Sequence, residues 1–176
     1  MKSLIESILN DMNSTIDSGD NDIKRYEVIK FLEDNYNILG NKEFTVSAKP
    51  NKNGLYEVSS DGHIVTTNRN LDRLTNGFFI FKKVDSFSCA WTKIESLEGT
   101  PVECNTLDCS GSFIKDLTGC PKNIHKLNCS QCKYLKSLKG CSKNVHELIL
   151  AYCYNLKSLK GIPRSCYNLN TDGLNF

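Results

Sequence analysis

The sequence predicts an α+β protein: an N-terminal helical cap followed by a short β-solenoid with coils of 20–21 residues. Three observations carry this. One phrase recurs four times, as Ile94-Glu-Ser-Leu97-Glu-Gly99, Ile114-Lys-Asp-Leu117-Thr-Gly119, Leu135-Lys-Ser-Leu138-Lys-Gly140 and Leu156-Lys-Ser-Leu159-Lys-Gly161. Other apolar positions keep the same step, at Leu107, Leu127, Leu148 and Leu169 and, three places earlier, at Cys104, Ile124, Val145 and Cys166. Helical periodicity fills the first forty residues instead. Self-similarity at such a period marks a stacked array in which each unit buries its apolar face against its neighbours.

In order along the chain, residues 1–40 form the predicted cap. Leu4, Ile5, Ile8, Leu9 and Met12 recur at helical spacing, and Asp17-Ser-Gly-Asp-Asn-Asp22 interrupts them with N-cap candidates. Ile23, Tyr26, Ile29, Phe31, Leu32 and Tyr36 continue as a second amphipathic helix, expected to end near Leu39-Gly40. Such a pair is too small for a core of its own and is expected to pack on the end of the array. Residues 41–70 form a β-hairpin lead-in. Glu43-Phe-Thr-Val-Ser-Ala48 alternates like a strand, and Lys49-Pro-Asn-Lys-Asn-Gly54 is turn chemistry. Leu55-Tyr-Glu-Val-Ser-Ser passes through Asp61-Gly62 into His63-Ile-Val-Thr-Thr, a hairpin signal. Residues 71–176 form the solenoid proper. Its phase can be traced back to about Ile64, giving about five to six coils.

The residues of one coil explain its shape. Leu127 and Cys129 lie two apart, so on a short strand both point inward while Lys126, Asn128 and Ser130 point out. Leu135 and Leu138 close the far side, and Gly140 supplies a turn that a side chain would obstruct. Pro101, Pro121 and Pro163 follow their glycines by two places, so the returning side should be extended or 3₁₀ rather than α-helical.

The pattern Ile/Val-x-x-Leu-x-Cys/Leu, continued by Leu-x-x-Leu, resembles a leucine-rich repeat. Leu97-Glu-Gly-Thr-Pro101, Leu117-Thr-Gly-Cys-Pro121 and Leu159-Lys-Gly-Ile-Pro163 are similar to a Leu-x-Gly-x-Pro phrase repeated in small phage proteins of that kind. The resemblance covers roughly residues 55–170. It implies a non-enzymatic protein-binding module without a cofactor, encoded by a phage, that binds a host protein, such as a defence protein, and inhibits or modulates it. Leucine-rich repeats often stack asparagines where each strand turns away. This chain places Thr92, Ser112, Cys132 and Cys153 in that register, a weaker ladder because sulfur is a poor donor.

Composition bounds the alternatives. The apolar fraction is 39% and mean hydropathy −0.37, as in a soluble folded protein. Met1-Lys-Ser-Leu-Ile-Glu-Ser-Ile lacks the apolar run of a signal peptide, and the expected compartment is the cytoplasm, that of the host for a phage protein. Nine cysteines fit reduced structural thiols, because they occupy repeat positions where other coils carry Leu, Ile, Val, Thr or Ser. The net charge of +2 conceals a basic end: residues 114–176 carry ten Lys and Arg against Asp116, Glu147 and Asp172. That balance favours an acidic partner or nucleic acid, and equally suits a solvated face.

Candidate binding residues stand outside the core. The inner face of the strands should present Ser86, Ser88, Thr106, Asp108, Lys126, Asn128, Glu147 and Ile149, mostly small and polar. Beyond the strands cluster Trp91, Phe113, Tyr134, Tyr152 and Tyr154, either binding anchors or padding of the irregular side. Lys136 and Lys157 share one phase with Lys115, and Lys139 and Lys160 share another; these columns invite an acidic surface or simply keep the array soluble. His125 and His146 share a phase too, but no Asp or Glu joins their column, and Cys129-x-x-Cys132 has no second pair, so no metal site is expected. No residues suggest a catalytic constellation. Two other functions remain open: nucleic-acid binding through the basic coils, and self-association of a structural subunit into a homo-oligomer. Leu55-Tyr-Glu-Val-Ser-Ser-Asp-Gly-His-Ile-Val-Thr also resembles a short DNA-binding motif attached to phage homing endonucleases, but the lysines are not interleaved with the aromatics in sequence.

Overall fold

The computed structural model describes residues 20–37 and 44–174. The first predicted helix, around Leu4–Met12, lies outside the described residues. One helix, α1 (Asp20–Asn35), precedes seven strands: β1 (Phe44–Val46), β2 (Tyr56–Val65), β3 (Phe79–Ser88), β4 (Glu103–Asp108), β5 (Asn123–Asn128), β6 (Asn144–Ile149) and β7 (Asn168–Asn170). They form one sheet in sequence order. β1 is antiparallel to β2, and every later pair is parallel. The protein is therefore an α+β solenoid, built as the repeat predicts.

Register fixes the coil length. Phe87 pairs with Leu107, Leu107 with Leu127, Leu127 with Leu148 and Leu148 with Leu169, steps of 20 or 21 residues. The first coil is longer, since Ile64 pairs with Phe87. Between strands the chain returns through turns, and α1 is the one helix among the described residues. One apolar core runs from Val28 and Leu32 through Phe81, Leu107, Leu127 and Leu148 to Leu156.

The repeated phrase owes its residues to the corner it builds. The amide of the residue after each glycine bonds the carbonyl three places back: Thr100 to Leu97, Cys120 to Leu117, Cys141 to Leu138 and Ile162 to Leu159. The glycine is the third residue of each turn, with φ between 85° and 100°, the positive value that a type II turn needs there. At Gly119 a side chain is also excluded by space, because a Cβ would lie 2.3 Å from Glu98 N of the preceding coil. The polar residue of the phrase caps the same corner. Asp116 Oδ1 accepts the Thr118 amide at 2.9 Å, and in their own coils Ser96 Oγ and Ser137 Oγ accept the amides of Glu98 and Lys139 more loosely, at 3.4 Å. The carboxyl of Asp116 is held below its ordinary value by that amide, and the Lys139 ammonium adds to the effect.

Two local expectations are corrected. Asp61-Gly62 is not a hairpin turn. β2 runs straight through it, and between Ser60 and His63 it carries one residue more than β3 does between Val84 and Ser86, a bulge. The hairpin is between β1 and β2, across the 47–55 connection that holds Pro50 and Gly54. Secondly, α1 ends at Asn35 rather than near Leu39-Gly40, because Tyr36 leaves the helix to bridge Thr66. Its buried face is Val28, Ile29 and Leu32, continued just beyond its end by the buried Tyr36, while Ile23 is exposed. Tyr36 closes the first coil: its ring packs on Phe81 and Phe87, and its hydroxyl donates to Leu74 O at 2.6 Å.

The polar ladder and the thiols sit where the repeat places them. Thr92 Oγ1 donates to Cys89 O at 2.7 Å, Ser112 Oγ to Cys109 O at 2.6 Å, Cys132 Sγ to Cys109 O at 3.2 Å and Cys153 Sγ to Cys129 O at 2.9 Å. All nine cysteines are free thiols. At the far end Leu169 is half-exposed, because nothing stacks on β7 among the described residues. Asn170 and Gly173 turn the chain there, with Asn170 Oδ1 accepting the Asp172 amide. No helix among the described residues is long and apolar enough to cross a membrane.

Candidate binding surface

Where each strand ends, the chain turns a corner whose residues stack from coil to coil. The amides of Trp91, Gly111, Gln131 and Tyr152 bond the carbonyls of Ser110, Ser130, Ala151 and Asp172 in the next coil, at 2.7–2.8 Å. Each of these four residues, with Gly173 after them, has positive φ, between 59° and 73°. Glycine adopts that conformation freely, whereas other L-residues are strained there by roughly 1–2 kcal/mol. Yet Trp91 and Tyr152 occupy it, half-exposed at 50% and 46%. Their rings cover the glycines of the next coil: a Cβ on Gly111 would lie 2.5 Å from the Trp91 ring, and one on Gly173 would lie 2.6 Å from that of Tyr152.

Two residues further on, the aromatic column continues. Phe113 and Tyr134 meet edge to face with centroids 5.0 Å apart, and Lys133 Nζ stands over both, 5.3 and 5.0 Å from the ring centres. Tyr154 is exposed and tilts against Tyr152 at 6.2 Å. The five aromatic candidates thus share one side of the solenoid. Trp91 stands apart from Tyr152 by three coils, roughly 14 Å at the strand spacing, with Gly111 and Gln131 between.

The lysines flank this ridge. One buried residue, Ile114, Leu135 or Leu156, separates the ridge from Lys115, Lys136 and Lys157, all exposed. The Lys136 amide bonds Lys115 O, and that of Lys115 bonds Glu95 O, so the column is Glu95, Lys115, Lys136. Lys115 is paired with Glu95, which leaves Lys136 and Lys157 as the more available charges. Lys139 lies near Asp116 on the glycine corner, and Lys160 is exposed on the corner of the last coil. These two belong to a second edge and do not join the ridge. Lys133 was missed from sequence because the 21-residue coil carries an extra residue, which puts Lys133 in the column of Phe113 and Tyr154. In the fold, lysine and aromatic side chains are therefore interleaved, although in sequence they look separate.

The inner face of the sheet is mostly scaffold. Asp108 Oδ1 and Asn128 Oδ1 each accept the amide two residues on, at 3.0 Å, so both cap the corner below the ridge. Lys126 and Glu147 pair across β5 and β6 at 3.5 Å.

Beneath the ridge the thiols of Cys109, Cys132 and Cys153 are fully buried and offer it no reactive group. Burial pushes Cys104 up to about 12 and Cys120 up to about 11, which keeps both protonated at neutral pH. Compared with protein-family models, with curated proteins and with solved structures, the chain finds no match in any of the three.

Proposed function

We propose that the protein is a non-enzymatic binding module that docks a partner protein along the ridge of Trp91, Phe113, Tyr134, Tyr152 and Tyr154, with Lys133, Lys136 and Lys157 facing acidic groups on the partner. One observation carries this reading. Gly111 and Gly173 fill the same corner position without strain, so the scaffold has no need of an aromatic residue there. Trp91 and Tyr152 nevertheless hold that position with half of their surface in water. Exposed aromatic side chains on a rigid frame are the usual anchors of protein interfaces, and backbone strain tends to persist where function requires it. The phage-like repeat phrase supports a host protein as that partner and inhibition or modulation of it as the outcome.

The test uses the corner glycines as a guide. Trp91→Gly with Tyr152→Gly relieves strain while deleting both anchors, so thermal stability should stay near that of the parent. Affinity for a partner captured stoichiometrically from host lysate should fall at least 30-fold, the loss of a hot spot of about 2 kcal/mol or more. Unchanged capture by this variant would sink the reading.

The interleaving of Lys133 with Phe113 and Tyr134 favours a second reading, single-stranded nucleic acid stacked on the same ridge. Retention of an oligonucleotide that collapses between 50 and 200 mM salt, and is lost on Lys133→Ala, would select it over the first.

A further inference from the structure

We propose that His125 and His146 form a surface chelate for a divalent transition-metal ion. They occupy the same register position on β5 and β6, since Ile124 pairs with Val145 and Lys126 with Glu147 on either side of them. Parallel pairing sets equivalent side chains side by side, and the two Nδ1 atoms stand 3.3 Å apart. Nitrogens bound at about 2.0–2.1 Å in a tetrahedral arrangement are themselves about 3.3–3.4 Å apart. In the free protein the Nδ1 contact is a hydrogen bond in which one Nδ1 keeps its proton, and an ion taking the place of that proton would find the two nitrogens already at the separation it imposes.

Neighbouring groups fix the rings in a suitable state. Glu147 Oε1 lies 3.9 Å from His125 Nε2. Its charge favours a proton on that Nε2, so that His125 Nδ1 accepts from His146 Nδ1, which gives up its proton when an ion binds; a carboxylate beside the far nitrogen commonly supports a ligating histidine in this way. His146 is stacked on Tyr167, with centroids 5.7 Å apart and planes 27° apart, and this holds its ring. Both histidines line an open cleft with Asn105, Asn123 and Asn144, where water or an outside donor can fill the remaining coordination positions. Among the described residues no group of three or more His, Cys, Asp or Glu could hold a metal. The site is thus a two-imidazole chelate, suited to Ni²⁺, Cu²⁺ or Zn²⁺ rather than Mg²⁺ or Ca²⁺. The sequence argues against a metal here because no acid shares the histidine column; the fold supplies Glu147 from the column beside it.

Calorimetric titration of the full, reduced chain with Ni²⁺ alone tests the proposal. The expected result is one ion per chain, with affinity roughly a hundredfold weaker in His125→Ala and in His146→Ala, because each variant loses the chelate and keeps one imidazole. The double variant should lose little more than either single one. Glu147→Gln should weaken binding about tenfold, and His63→Ala, on the third histidine, should change nothing. Both ligands are on the surface, so melting temperatures should be preserved. Equal affinity in either single variant, loss on His63→Ala, or binding that vanishes only when thiols are blocked would each overturn the assignment.

Discussion

At the scale of single residues, the glycine corner separates two effects that sequence shows as one. Gly119 and Gly161 hold the same place in the repeated phrase, with φ of 91° and 100°. Their surroundings differ. A Cβ on Gly119 would lie 2.3 Å from backbone atoms of the coil before it, whereas the nearest atoms to one on Gly161 are 3.5 Å away, an ordinary contact. Gly161→Ala should therefore cost only the strain of the backbone, about 1–2 kcal/mol. Gly119→Ala adds the displacement of a neighbouring coil and should cost about 3 kcal/mol or more. Urea unfolding of the two variants measures the gap, and equal losses would mean that conformation alone selects glycine. The serine or aspartate of the same phrase has a similarly local reason, an oxygen turned back onto the amide two residues on. Asp116 is therefore a poor candidate for catalysis or recognition, although an acid in a basic region draws attention in sequence.

At the scale of elements, the repeat made the solenoid legible because each coil repeats the same requirements: Leu107, Leu127 and Leu148 inside, glycine at the corner, and a donor at Thr92, Ser112, Cys132 or Cys153. The lead-in lacks that redundancy, and there local signals mislead. Asp61-Gly62 has the composition of a turn, but Tyr56, Val58, Ser60 and Ile64 are all buried along one strand. Parallel pairing with β3 overrides the local preference and leaves a bulge. The ridge was half legible: the aromatics could be named, but their strained backbone and the place of Lys133 depend on where an extra residue falls in a coil. Helix α1 shows the same dependence on tertiary contact, since it stops where Tyr36 finds Leu74 O and the rings of Phe81 and Phe87. Tyr36→Phe keeps the ring and removes the hydroxyl, at a cost of about 1 kcal/mol. In an array whose coils touch only their neighbours, that loss should stay local. Amide exchange should quicken in β2 and β3 and remain unchanged in β5 and β6. A uniform increase would mean that the helix stabilises the solenoid as a whole.

At the scale of the whole molecule, the consequence of building a core from thiols is sensitivity to alkali. Cys89, Cys109, Cys129, Cys132 and Cys153 are fully buried, and Cys104 nearly so. Burial pushes Cys104 up to about 12, well above its ordinary 9.0, and raises Cys89 as well. Tyr36 is raised too, by burial first and then by Cys89. A group raised in the folded state contributes its full stability below the unfolded value. Between pH 9 and about 12 the unfolded chain releases the Cys104 proton while the folded chain keeps it, so stability falls by about 1.4 kcal/mol per pH unit for that thiol. Several such thiols acting together can exhaust the 5–15 kcal/mol typical of a domain within two or three pH units. The melting temperature should accordingly be flat from pH 6 to 8.5 and fall steeply from 9 to 11. Cys104→Val borrows the residue that Val145 places in the same column, so it should fold normally and make that fall shallower by one proton. If the slope is unchanged, or if dithionitrobenzoate reacts with most thiols of the native protein at pH 8, the core thiols are not the cause. The same burial that withholds these sulfurs from chemistry at neutral pH would then have to be reconsidered, because an accessible thiolate column would make the interior of the solenoid, and not its aromatic ridge, the reactive part of the molecule.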